Sequence, residues 1–196
     1  MKFTARHQLT VALTGGILCG KSTALRAFAS AGAYTLSCDE LVREISARPA
    51  VQKKIAALFG TAEKGELARK VFASASARRK LENLLHPLAA RELARRLKKD
   101  KSPVRVAEVP LLFEAGWQDA FDMTVCVCAP DKTLPARLKA RGMKKTDFLK
   151  RCAAQLPPRA KAARADICLL NGASADALER KVQSLYRAFM KIYTVE

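Results

Sequence analysis

The chain has 196 residues, 49% of them hydrophobic and 28% charged, and its 36 Lys and Arg against 18 Asp and Glu leave a formal net charge of +18. This length suits one domain of roughly 150 residues with an appendage and buries about 70% of the unfolded surface, which excludes wholesale disorder. No apolar run approaches the ~20 residues of a membrane helix, and Met1–Gln8 leads into no signal-type stretch, so a cytoplasmic protein is expected.

Gln8–Thr14 is a short apolar run ending in glycines, consistent with a buried strand. Lys21–Ala31 follows as a helix with Leu25 and Phe28 on one face, stopped by Gly32. A second strand at Tyr34–Leu36 delivers Ser37, Cys38 and Asp39 at its carboxyl end. Glu40–Lys99 has a helical pattern with breaks expected near Pro49, Gly60 and Pro87. Further strands are expected at Val104–Val109, Met123–Cys128 and Ile167–Leu170. Two basic helical stretches, Thr133–Arg141 and Lys145–Leu156, flank Gly142. Ser174 suits the N-cap of a last helix, on which Leu178, Val182, Leu185, Phe189 and Tyr193 share a face. Strands alternating with helices imply an α/β fold whose parallel sheet is covered on both sides.

The excess charge is uneven: residues 132–164 carry eleven basic residues and one acid, Asp147. Such a patch suits a nucleic-acid binder and equally an enzyme that grips several phosphates. The six cysteines (Cys19, Cys38, Cys126, Cys128, Cys152 and Cys168) contain no Cys-x-x-Cys and lie far from His7 and His86. They read as reduced thiols rather than a disulfide frame or a zinc site.

Gly15-Gly16-Ile17-Leu18-Cys19-Gly20-Lys21-Ser22 fits G-x-x-x-x-G-K-[ST] between a strand and a helix. In that setting backbone N–H groups curl around a phosphate and the helix N-terminus adds favourable partial charge. Lys21 would reach the β- and γ-phosphates and the Ser22 hydroxyl would hold Mg²⁺, with ATP as the implied nucleotide. Phosphate loops serve kinases, motor ATPases and GTPases alike, so the loop leaves the reaction open. No Asn-Lys-x-Asp guanine-reading motif is present, and the nearest thing to an acid-rich strand end is Glu108-Val109-Pro110. Small size and a basic helical hairpin favour a small-molecule kinase with a closing lid.

A set of further motifs resembles the dephospho-coenzyme A kinase family across nearly the whole chain. They run from Leu13-Thr14-Gly15-Gly16-Ile17 through Lys21-Ser22-Thr23 to Cys38-Asp39-Glu40, then Leu81-Glu82 before His86-Pro87, then Pro110-Leu111-Leu112-Phe113-Glu114. Arg137 to Arg141, Arg151-x-x-x-Gln155 and Arg164-Ala165-Asp166 complete the order. The resemblance implies a three-layer P-loop kinase fold with a parallel sheet, a helical substrate domain and a lid. It places the P-loop core at about 8–39 and 104–196, a helical coenzyme A-binding insertion at about 40–101 and the lid at about 141–158. The implied reaction is ATP-dependent phosphorylation of the ribose 3′-hydroxyl of dephospho-coenzyme A, the last step of coenzyme A synthesis. Neither nucleic acid nor membrane is an expected partner, and a monomer or weak homo-oligomer is expected. The alternatives are another nucleoside or nucleotide kinase, or a basic nucleic-acid-binding ATPase.

By the same resemblance, Asp39 accepts the 3′-hydroxyl proton and contacts Mg²⁺ with Ser22, although Asp39 also suits the N-cap of a helix starting at Glu40. Lys21 and Arg141 are the cationic members of the catalytic set, an arginine fork at the lid being suited to transferring phosphoryl oxygens. Gly15, Gly16, Leu18, Cys19, Gly20, Lys21, Ser22 and Thr23 would hold the nucleotide, and Asn171 would lie near its adenine. His86-Pro87 is either a helix break or part of the acceptor pocket, and Pro110–Glu114 shapes that pocket's floor with Phe113 in the core. Lys144, Lys145, Lys150 and Arg151 steer a phosphorylated substrate or simply solvate the surface. The family usually has Gly-Ser where Leu18-Cys19 stand and Asp where Ser37 and Glu108 stand. Cys19, beside Lys21 and a helix N-terminus, is either the most readily alkylated thiol, shielded by ATP, or a replacement for a small serine that points into packed protein and is inert.

Overall fold

The computed structural model describes residues 8–193. His7 and the rest of the basic start lie outside the described residues, as does the side chain of Tyr193. The chain divides after Ser37 and again after Arg96 into a sheet unit and a helical unit.

The sheet unit holds five parallel strands in the order β2-β3-β1-β4-β5. These are β1 (Leu9–Gly15), β2 (Tyr34–Ser37), β3 (Val104–Glu108), β4 (Met123–Cys128) and β5 (Ile167–Leu170). Central β1 and β3 are buried along their whole length; β1 reads as a near-continuous apolar run, whereas β3 carries the buried charged residues Arg105 and Glu108. Helices α1 (Lys21–Ser30) and α9 (Ala175–Tyr193) pack together, with Phe28 stacked on Phe189 at 6.4 Å between ring centroids. Leu178, Val182 and Phe189 are buried against the same core, and the Ser174 hydroxyl accepts from the Ala177 amide as an N-cap should.

Register is held by a repeated device. Asp122, just before β4, accepts both the amide and the hydroxyl of Thr10 at 2.7 and 2.6 Å. Asp166, just before β5, does the same for Thr124 at 2.7 Å each. A one-residue slip would unpair both carboxylates and turn every strand side chain to the opposite face. Asp166, a family-motif residue with no assigned task, thereby gains a structural one.

The helical unit consists of α2 (Cys38–Ser46), α3 (Pro49–Phe59), α4 (Lys64–Ala73) and most of α5 (Ala75–Lys99). Pro49 and Gly60 do sit at helix ends, with Gly60 in the left-handed C-cap conformation. Pro87 does not break the chain: it lies inside α5, which runs on through it. Only one backbone donor is lost at a proline, and Leu85, Ala89, Leu93 and Leu97 are buried on either side of it. Asp39 is not an N-cap either, because α2 already starts at Cys38 and places Asp39 in its first turn.

The remaining helices, α6 (Leu134–Ala140), α7 (Lys145–Ala153) and α8 (Pro158–Arg164), lie between β4 and β5. The first two match the basic stretches; α8 was not expected. No helix among the described residues is long and apolar enough to cross a membrane.

Candidate active site

The loop from Gly16 to Gly20 joins β1 to α1 at the carboxyl edge of the sheet, where open α/β folds bind ligands. Gly20 has φ 98°, and a Cβ there would lie 2.2 Å from Asn171 Nδ2. Only glycine fits so close an approach. Leu18 occupies the left-handed region at φ 61°, the one non-glycine residue among those described to do so. The usual glycine of the family thus has its reason in the backbone, and Leu18 carries a cost of about 1–2 kcal/mol at this position.

The loop is tied down from outside. Asn171 donates from Nδ2 to the Cys19 carbonyl at 2.9 Å, and its own amide donates to Cys128 at 2.7 Å. Arg137, on α6, donates from Nη1 to the Leu18 carbonyl at 2.9 Å and from Nη2 to the Asn171 carbonyl at 2.8 Å. Lys21 Nζ sits over the loop, 3.1 Å from the Gly15 carbonyl and 2.8 Å from that of Gly16. Arg137, expected only as a companion of Arg141, is therefore a strut that ties the phosphate loop to Asn171.

Above the loop opens a cavity of ≈ 590 Å³ lined by Leu18, Gly20, Lys21, Ser22, Thr23 and Asn171 together with Arg26, Arg137 and Arg141. The structure thus brings most of the expected nucleotide residues and Arg141 to one place. Arg141 ends α6 and is exposed, free to reach an anion in the cavity. Arg26 was missed, although its place one turn after Ser22 on α1 could have marked it. Ser22 Oγ lies 3.5 Å from Oε1 of Glu108, a buried carboxylate at the end of β3. Asp39 belongs to the helical unit, where it is exposed, as do His86 and Pro87. Lys144, Lys145, Lys150 and Arg151 are all exposed on or beside α7.

Of the two readings of Cys19, the packed one fits its burial. Its side chain is only 2% exposed, and burial pushes its thiol up, outweighing the opposing pull of Lys21 and the Ala129 amide. A buried, protonated thiol is inert toward alkylation. All six cysteines are free thiols.

In the loop after β3, Glu114 Oε1 accepts the Leu156 amide at 2.8 Å and pairs with Lys161 Nζ at 2.9 Å. Phe113 and Leu112 of the same motif are buried, as expected for core residues.

The dephospho-CoA kinase family profile matches residues 9–177. A dephospho-CoA kinase of Protochlamydia amoebophila is 34% identical over 197 residues, covering 93% of this chain and 97% of that protein. A crystal structure from Thermus thermophilus is 32% identical, covers 93% of this chain and 98% of its own, and superposes with a TM-score of 0.81. A dephospho-CoA kinase structure from Campylobacter jejuni, at 18% identity and TM-score 0.65 over 94% of this chain and 99% of that one, shares the fold. A family match over most of the length, in a chain whose phosphate loop is built and braced as above, leaves one conclusion: this protein belongs to the dephospho-CoA kinase family.

Proposed function

We propose that the chain transfers the γ-phosphoryl group of ATP to the ribose 3′-hydroxyl of dephospho-coenzyme A, giving coenzyme A and ADP. The observation that carries this reading is the cavity over the phosphate loop, where Lys21, Arg26, Arg137 and Arg141 converge on one space. Four cations around a braced loop suit the charge that spreads over phosphoryl oxygens in transfer, where catalysis is mostly positioning and neutralisation.

In this reading the 3′-oxygen attacks the γ-phosphorus and the bond from phosphorus to the β–γ bridging oxygen breaks. The hydroxyl proton passes to the Asp39 carboxylate. Lys21 holds the β- and γ-phosphates, and Arg141 closes on the transferring group from the lid, about residues 141–158. Support for a lid comes from α7, which has no buried residue and so little to hold it in one place. The helical segment of about 40–101 binds the acceptor.

A magnesium ion fits the donor set: the Ser22 hydroxyl and the Glu108 carboxylate converge, and both are hard oxygen donors. Ser22 would hold it, with Asp39 acting through water. When bound, the ion neutralises charge on the β- and γ-phosphates.

The test measures ADP release from ATP with dephospho-coenzyme A, other nucleosides or duplex DNA as the addition. Acceleration by dephospho-coenzyme A with formation of coenzyme A is expected. Stimulation by DNA alone would remove the kinase reading, and preference for another nucleoside would reassign the acceptor.

A further inference from the structure

The seven-residue helix α8 links the phosphate loop to the loop after β3, which are far apart in sequence. Its first residue, Pro158, packs on the phosphate loop: a Cβ on Gly16 would lie 2.8 Å from Pro158 Cγ. One turn later Lys161 is fully buried. Its Nζ donates to the Pro110 carbonyl at 2.6 Å and to Gln155 Oε1 at 3.2 Å, and pairs with Glu114 Oε1 at 2.9 Å. Glu114 in turn accepts the Leu156 amide.

An ammonium has three N–H donors, and here each has an acceptor. Two of these acceptors, Pro110 and Glu114, bound the loop after β3; the third, Gln155, follows α7 directly. One buried charge therefore ties that loop, the end of α7 and α8 to one another, while α8 touches the phosphate loop. Stability alone gives no reason for a lysine at this point, since well-packed apolar residues often replace a buried ion pair at no loss.

We propose that Lys161 is a positioning residue: it locks the carboxyl end of α7 to the Pro110–Glu114 loop, so that the lid and the loop meet the phosphate pocket in one fixed geometry. The other end of the segment turns at Gly142, in the left-handed conformation at φ 58°, next to Arg141. The end of α7 is thus held at Gln155 and Leu156. Lys161 touches no substrate; it acts through what it holds. This inference rests on the reading of the lid and acceptor given above.

Two variants test it. Gln155→Leu removes one acceptor at a half-buried position, and Lys161→Met with Glu114→Gln removes the buried ammonium and the charge of its carboxylate partner together. Turnover, ATP dissociation constant, melting temperature and amide hydrogen exchange of residues 110–116 and 145–156 are measured, the last without substrates. Turnover should fall ~10-fold or more while the ATP dissociation constant stays within about twofold, since misplacement by an ångström costs rate more than ground-state binding. Exchange should quicken in both segments together. Turnover within twofold of the parent, exchange rising in one segment only, or activity restored whenever melting temperature is restored would overturn the proposal. Should the double variant fail to fold, Gln155→Leu decides alone. Should the parent fail to phosphorylate dephospho-coenzyme A, the acceptor reading falls, and paired exchange in the variant still decides the coupling.

Discussion

Around the phosphate loop, side chains spend their donors on backbone carbonyls: Arg137 on Leu18 and Asn171, Asn171 on Cys19, Lys21 on Gly15 and Gly16. In the helical unit, side chains pair with one another. Glu92 meets Arg48, Arg95 and Arg96, and Arg96 also meets Glu44. There α4 has no buried residue, and Phe72 is 73% exposed. A carbonyl in a braced loop cannot rotate away, whereas the arginines around buried Glu92 keep 27–60% of their side chains exposed and can exchange partners at modest cost. The nucleotide half is therefore built rigid, as electrostatic preorganisation requires, and the helical half is built to adjust.

The sharpest way to break this contrast is Gly20→Ala. Its Cβ would strike Asn171 Nδ2 and force the loop off its brace, so kcat/KM for ATP should fall on the order of 10³-fold, as measured by initial rates. The loss should be far larger than the accompanying change in melting temperature. Arg141→Lys is milder. It keeps the charge but loses the fork, so turnover should drop ~10-fold with ATP affinity nearly unchanged, separable by steady-state kinetics and direct titration. Equal values in variant and parent would return Arg141 to the solvated surface.

Glu92→Gln probes the helical side. Arg95 and Arg96, through hydrogen bonds to it, hold the Glu92 carboxyl down at about 2. A lowered folded value means that Glu92 stabilises the fold above its unfolded value of 4.5 and loses that contribution as pH falls toward 2. Melting the parent and Glu92→Gln across pH 2–7 should show the variant less stable at neutral pH by about 1 kcal/mol, or ~3 °C, with the gap closing in acid. A gap that stays constant down to pH 2 would contradict the pairing.

Most of the sheet unit was legible because its strands are short and rich in apolar and β-branched residues and its loop follows a fixed spacing. What escaped did so for identifiable reasons. Helix α8 carries its buried position as Lys161, so no apolar stripe announces it, and its Pro157-Pro158 start reads as a turn. Pro87 looked like a break because the sequence around it does not reveal that buried leucines on both sides carry α5 through. Cys19 looked reactive from its sequence neighbours alone; its burial is a property of the packed fold, and even the amide beside its thiol, that of Ala129, lies far along the chain. Leu18 shows the reverse case, a departure from the family pattern whose cost is visible only as a backbone angle. The partners of Arg137 and Glu108 are likewise long-range and have no local signature.

Asp39 joins the two halves of the account, since it lies two residues beyond the end of β2 yet belongs to the helical unit. If chemistry depends on its carboxylate while nucleotide binding depends on the braced loop, Asp39→Asn separates the two. A single-turnover experiment with saturating ATP and dephospho-coenzyme A, paired with an ATP titration, reads both quantities. The account predicts a rate of coenzyme A formation ~10²-fold or more below the parent, with ATP affinity within about threefold. A rate within threefold of the parent would contradict it and remove Asp39 from the reaction.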